Sequence, residues 1–364
     1  MFYTEILRPI LFKTDPERIH SLAIICLGLF SRFGFLYKVV KKFCFVRDKT
    51  LQTKIGKVVL PNPIGLAAGF DKDISAPYAY SMLGFGCVEF GSVTNEAQDG
   101  NPKPRLWRLP KDKSLIVNYG LNNSGALAAQ KRLKKLRKHS GPIGISIAPT
   151  SRLGLSELKD DYINSFKKLC FLADYITLNI SCPNVIKCES VQQMSFVKEL
   201  LVAIVEFKKE KSVDKDVFIK ISSEMSKTEL DDLIDISLGN DITGIIATNL
   251  VKDRDNLPEH NSAKQDLDHP GGISGKLLQV RSNKTIEYIY SKSNGKLVII
   301  GVGGVFSAKD AYEKIKAGAT AIQLITGFIY NGPLSIRNIN LDLLKLLKKD
   351  GFTSLEQAIG VGAK

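Results

Sequence analysis

Tyr175-Ile176-Thr177-Leu178-Asn179-Ile180-Ser181-Cys182-Pro183-Asn184 runs from an apolar stretch into a pair of amides, a thiol and a proline. Its first half has the apolar, partly β-branched character of a buried strand, and Pro183 ends regular structure because it has no N–H to donate. Taken alone, the stretch is either a strand-to-loop turn with a buried cysteine or a strand end that carries chemistry. The rest of the chain decides between them.

Similar runs recur on both sides of it. Residues 63–69, 87–93 and 143–148 precede it, and residues 216–221, 242–249, 297–304 and 321–327 follow. With 175–181 these make eight strand-like runs separated by helix-like segments, which predicts a (β/α)8 TIM barrel of the α/β class. In that fold chemistry sits at the C-terminal ends of the strands. The residues just after each run therefore become the functional candidates: Gly69 to Lys72, Ser92, Asn179 to Asn184, Thr248-Asn249, Gly303-Gly304 and Thr326-Gly327. Lys220 lies inside the fifth run, where a lysine is costly unless it faces a polar centre or an anion.

Composition narrows the chemistry. Lys and Arg number 51 against 37 Asp and Glu, a formal net charge of +14 that favours phosphates, anionic small molecules or an anionic membrane surface. The densest basic cluster, residues 131–139, has no interleaved aromatics and leucines at helical spacing, so it reads as a solvated helix face and not as a nucleic-acid contact. The six cysteines form no CxxC pair and no Cys/His spacing, which argues against a metal site and against a disulfide framework. Cys182 stands apart because its neighbours are polar.

The first fifty residues read as a small N-terminal helical extension to a barrel spanning residues 51–364. Asp15-Pro16-Glu17-Arg18 is a helix start, with proline in the first turn and acids facing the helix dipole. The longest uncharged run, 19–31, is shorter than the ~20 residues a bilayer span needs. Its mixture of apolar and basic residues suits either a helix pair lying on a membrane surface or a cap on the barrel. No secretory-signal order is present. A peripheral membrane protein facing the cytoplasm, on the inner membrane if bacterial, is the expectation.

The ligand can be read one step further. Loops after barrel strands seven and eight commonly hold a phosphate, and Gly303-Gly304 and Thr326-Gly327 occupy those places. With lysines at runs one and five, a phosphorylated cofactor whose ring takes up negative charge fits. Flavin mononucleotide (FMN) suits better than a dinucleotide, because no Rossmann fingerprint is present.

Several motifs now coincide in order: Asp15-Pro16-Glu17-Arg18, Gly65-Leu66-Ala67-Ala68-Gly69-Phe70-Asp71-Lys72-Asp73, Lys103-Pro104-Arg105-Leu106, Asn179 to Asn184, Gly271-Gly272-Ile273-Ser274-Gly275 and Ile300-Gly301-Val302-Gly303-Gly304. Together they resemble the dihydroorotate dehydrogenases, and the N-terminal extension resembles class 2, the membrane-associated, quinone-reducing branch. The resemblance implies FMN-dependent oxidation of (S)-dihydroorotate to orotate in de novo pyrimidine biosynthesis, with a membrane quinone as acceptor. It implies flavin contacts from Ala68, Gly69, Lys72, Ser92, Ser146 and Asn179 on the early strands. Lys220, Thr248, Gly275, Gly304, Ile325 and Thr326 would supply the rest. Substrate contacts fall on Lys72, which would pair with the carboxylate, on Asn179, Asn184 and Asn249, and on the segment Asn118, Tyr119, Gly120 and Leu121.

Cys182 falls on the catalytic base. It would take the proton from C5 while hydride leaves C6 for the flavin. Class 2 enzymes generally carry serine there and the soluble class 1 carries cysteine, so the architecture resembles one class and the base the other. Three stretches depart from the family pattern: Val117 stands where an asparagine is usual, Ser146 with Ala148-Pro149 replaces an asparagine and a Gly-Lys-Asn, and Leu250 replaces a hydroxyl residue. These leave open a paralogue oxidising a related dihydropyrimidine-like or enoate substrate, and a non-catalytic flavin-binding barrel.

Overall fold

The computed structural model describes residues 2–136, 141–180 and 190–363. The opening helices come first: Phe2–Leu7 continues into α1 (Arg8–Leu11), followed by α2 (Pro16–Phe30) and α3 (Gly34–Cys44). Asp15 caps α2 by accepting the Arg18 backbone N–H at 2.8 Å, with Pro16 in the first turn where its missing N–H costs nothing. The apolar run after Pro16 does not form one continuous helix. It breaks after Phe30, and α2 and α3 meet at a bend of 108°.

The strands follow in order: β1 (Thr53–Ile55), β2 (Val58–Leu60), β3 (Ile64–Leu66), β4 (Cys87–Val93), β5 (Leu106–Leu109), β6 (Ser114–Val117), β7 (Ile143–Ile147), β8 (Tyr175–Asn179), β9 (Asp216–Ile221), β10 (Gly244–Ala247), β11 (Gly272–Gly275), β12 (Val298–Val302) and β13 (Ala321–Leu324). Eight of them, β3, β4, β7, β8, β9, β10, β12 and β13, pair in parallel in that order, and β13 pairs back onto β3 to close the barrel. All eight runs of the sequence lie on these strands. Their continuous apolar character has a simple cause: a barrel strand is covered inside by the other strands and outside by helices, so both faces are buried.

The remaining strands were not visible as periodic runs. The β1–β2 hairpin plugs the end of the barrel away from the site, where Ile55 and Leu60 pack with Tyr175, Phe218 and Ile300. Its turn is tied to the start of β9 by the Lys57 N–H, which donates to Asp216 at 2.7 Å. A second, antiparallel sheet of order β11-β6-β5 stands at the opposite end. Gly271 turns the chain into β11 with φ +111°, and a Cβ there would lie 2.4 Å from the Val117 carbonyl oxygen, so only glycine permits this approach.

Candidate functional site

One cavity of about 580 Å³ connects the C-terminal ends of the barrel strands with the inner side of the N-terminal helices. At the barrel end it is lined by Ala68, Gly69, Lys72 and Ser92 from the first two barrel strands and their loops, and by Asn179 and Lys220 from the middle ones. Thr248 and Asn249 follow β10, Gly275 closes β11, and Gly304, Ile325 and Thr326 follow the last two strands. Asn118, Tyr119, Gly120 and Leu121 line the same space from the segment after β6. The side chain of Ser146 stands one layer back, its hydroxyl 2.8 Å from that of Ser92, which in turn accepts from the Asn179 amide at 2.9 Å. Cys182 and Asn184 lie outside the described residues.

Lys220 is buried and Lys72 partly so, and desolvation lowers both from the usual lysine range. Lys72 is lowered to about 8, first by desolvation and then by the Arg105 guanidinium; Glu17, Asp73 and Asp71 oppose this. It is therefore cationic below that pH and neutral above it. A carboxylate ligand held by this lysine is expected to bind most tightly below pH 8 and to lose affinity as pH rises through it, measured by calorimetric titration of a small ring carboxylate across pH. Lys220 is likewise lowered by burial, with Glu89 as the opposing charge. Glu89 is fully buried inside the barrel, where one carboxylate oxygen accepts from Thr177 and from Gln323, each at 3.0 Å.

The helix end of the cavity is apolar. Leu7, Leu11, Phe12, Ile19, Ala23 and Leu27 face it, with His20, Arg108 and Tyr3 as the polar exceptions. His20 packs edge-on to Phe70 and is pushed down to about 4, by burial first and then by the charge of Lys72, so its imidazole is neutral at ordinary pH. Arg108 donates to the carbonyls of Phe12 and Thr14, at 3.1 and 2.7 Å, and pins the turn before α2. Neither residue was singled out from sequence, where a lone histidine in an apolar run and an arginine beside a tryptophan carry no signal of their own.

The sequence model of the dihydroorotate dehydrogenase family matches residues 50–347. The chain belongs to that family. The match extends to whole chains: a dihydroorotate dehydrogenase (quinone) of Nostoc punctiforme is 39% identical over 373 residues, covering 100% of this chain and 98% of that one. One from Gloeobacter violaceus is 38% identical, with 97% of each chain covered. Among solved structures, DHODH from Eimeria tenella in complex with ferulenol superposes with a TM-score of 0.82 at 30% identity, with 95% of each chain covered. Because coverage of the relatives includes the opening helices, the family likeness is to the quinone-dependent branch as a whole and not to a barrel alone.

Other expectations divide. Cys44, Cys87 and Cys170 are buried core thiols, whereas Cys26 lines the cavity. Trp107 stacks on His269, with ring centroids 4.5 Å apart and ring planes nearly parallel. That contact gives His269 a packing role, while His260 is exposed. Among the described residues no group of His, Cys, Asp and Glu is arranged to hold a metal ion.

Proposed function

We propose that this protein oxidises dihydroorotate to orotate with FMN and passes the electrons to a quinone. Membership of the family and the full-length likeness to quinone-dependent members support the reaction. The observation that carries it is the cavity itself, which puts Lys72, Lys220 and Asn179 at one end and an apolar, helix-walled channel at the other. A polar ring fits the first end and a lipid-soluble acceptor the second.

The residues present fit a flavin mononucleotide. The Thr248 hydroxyl is buried without a partner, a state that normally marks a missing ligand atom or water. Gly303 and Gly304 have φ +123° and +71°, so their backbone can approach a phosphate closely where a side chain would be strained. Gly304, Ile325 and Thr326 would hold that phosphate, and Ala68, Gly69, Ser92, Ser146 and Thr248 would hold the ring and its chain. When bound, the flavin supplies the two-electron acceptor for hydride from C6 of the substrate.

The chain's own groups do the rest. Lys72 pairs with the substrate carboxylate, while Asn179, Asn184 and Asn249 satisfy the amide edge of the ring, with Asn118 in the position nearest to the displaced family asparagine. Cys182 takes the C5 proton; a free thiol has pKa ~8.5, within reach of a general base after a modest environmental shift. Lys220, when protonated, places a positive charge where negative charge develops. Val117 and Leu250 present apolar surface on the cavity wall, so hydrogen bonding to the ring rests on the remaining amides.

We further propose the division into an N-terminal acceptor segment, residues 1–50, and a catalytic barrel, residues 51–364. No single helix among the described residues is long and apolar enough to cross a membrane. Leu22, Ile25, Leu29, Phe33 and Phe35 are exposed, which supports peripheral attachment of α2 and α3 to a membrane surface.

The deciding experiment is anaerobic addition of dihydroorotate to the purified yellow protein, followed by a soluble quinone. Bleaching by the first and return of colour with the second are expected; a flavin that stays oxidised would contradict the reading. Lys220→Met is expected to lower the flavin midpoint potential by tens of millivolts, where ~30 mV corresponds to 1.4 kcal/mol for a two-electron couple. Spectroelectrochemistry measures it, and an unchanged potential would remove Lys220 from this role.

A further inference from the structure

Glu17 lies on the first turn of α2, in the segment that walls the acceptor channel, yet its carboxylate meets Arg105, which is bonded to the segment at the substrate end. It accepts from Arg105 through both Nε, at 3.2 and 3.3 Å, and Nη2, at 2.9 Å, and Lys103 stands 3.4 Å away. The pair is nearly sealed from water, with side-chain exposures of 14% for Glu17 and 8% for Arg105. Such a pair is not a surface ornament, because removing one partner leaves a buried charge unmatched.

Arg105 holds the substrate segment by several bonds at once. Its other nitrogen, Nη1, donates to the carbonyls of Asp99 at 2.7 Å and Asn101 at 2.9 Å, which fixes the turn between them. Asn101 then clamps the following segment: its amide donates to the carbonyl and side-chain oxygens of Asn118, each at 2.9 Å, and its N–H donates to the Tyr119 carbonyl at 3.0 Å. The Asn118 N–H returns to the Arg105 carbonyl at 2.9 Å. Beyond the backbone, the Tyr119 ring meets two cations, with the Arg105 guanidinium 5.3 Å from its centroid and the Lys72 ammonium 3.7 Å from it.

We propose that Glu17 is a positioning residue for the substrate: acting through Arg105 and the Asn118-Tyr119 segment, it places Lys72, so that docking of α2 completes the anion site as well as the channel. This rests on the reading of Lys72 as the partner of the substrate carboxylate. The ligand class is a ring bearing a carboxylate. The charges that face Lys72 are Arg105 and, from α2, Glu17 and the neutral His20, together with Asp71 and Asp73 from its own loop. Glu17 supports the lysine's charge directly and also offsets Arg105, so its loss acts twice in one direction.

The test uses the full-length flavoprotein and its Glu17→Gln and Glu17→Asp variants. In Glu17→Gln, orotate should bind about fivefold or more weakly, the range of a modest coupling between sites, and the alkaline fall of binding should begin at lower pH. Glu17→Asp, which keeps the charge, should recover part of both. Competitive acylation of Lys72 across pH, read by peptide mass spectrometry, gives its titration without any substrate. A profile in Glu17→Gln that coincides with wild type overturns the proposal, whereas displacement to lower pH supports it. Should dihydroorotate fail to bleach the wild-type flavin, the functional reading falls, and the acylation profile still decides the role of Glu17. A purely structural role would lower the melting temperature and leave that profile unmoved.

Discussion

Cys182→Ala is expected to slow flavin reduction by dihydroorotate by about 10²- to 10⁴-fold, the usual contribution of a positioned general base, while the flavin stays bound. The C5 proton has to leave as the hydride does, and a methyl group cannot accept it. Cys182→Ser should fall between the two and shift the pH profile, because a hydroxyl needs more help than a thiol to act as a base. Flavin binding should survive because Lys220 sits on β9 and Thr248 and Gly304 follow β10 and β12, away from the segment that carries Cys182. Anaerobic stopped-flow reduction measures the rate directly. An undiminished rate in the alanine variant would assign the proton transfer to another group.

The second large effect concerns the opening segment. A chain beginning at Lys49 should keep the barrel and its flavin but lose efficient electron transfer to a quinone. Core residues buried in the main cluster begin at Leu51, and the opening segment adds only the partly buried Ile24, Leu27 and Val46. The barrel therefore closes without it. The channel, however, loses Leu7, Leu11, Phe12, Ile19, Ala23 and Leu27, which form one wall. Burying the equivalent of two apolar side chains is worth ~3 kcal/mol, so quinone-driven kcat/KM should drop by roughly 10²-fold. Reoxidation of the flavin by a soluble quinone, followed by the return of flavin absorbance, checks this. Quinone turnover equal to that of the full chain would sink the role given to these helices. The same truncation removes Glu17, so weaker orotate binding should accompany the loss.

The barrel was legible because it depends on local composition repeated along the chain. A parallel strand covered on both faces must be apolar throughout, and eight such stretches at regular spacing leave few other ways to bury them. The strand-end candidates were legible for a related reason: polar and glycine residues just past each run have to sit at the strand ends, whereas Gly275 and the segment from Asn118 to Leu121, outside the barrel strands, were implied by the family resemblance alone. Ser146 follows the same logic imperfectly, since a residue within the third run can face the cavity or support a neighbour, and here it supports Ser92. The β5-β6-β11 sheet escaped notice because its strands are short, of four residues each, and because β11 joins β6 from more than 150 positions away along the chain.

Whether the opening helices cap the barrel or meet a membrane could not be read from their composition. In α2 the residues Ile19, Ala23 and Leu27 face the cavity, while Leu22, Ile25 and Leu29 are exposed. A helix apolar on both sides gives no periodic signal that separates its two neighbours. Only docking against the barrel distinguishes the two faces.

By itself, then, the sequence determined the barrel, the order of its strands and the set of residues at their ends, because strand period, strand length and turn chemistry are properties of neighbouring residues. The tertiary structure decided which of those residues share a cavity, that the opening helices wall it, and that Glu17 meets Arg105 across 88 positions of chain. Such a meeting depends on how separate elements pack, and no local pattern in the chain encodes it.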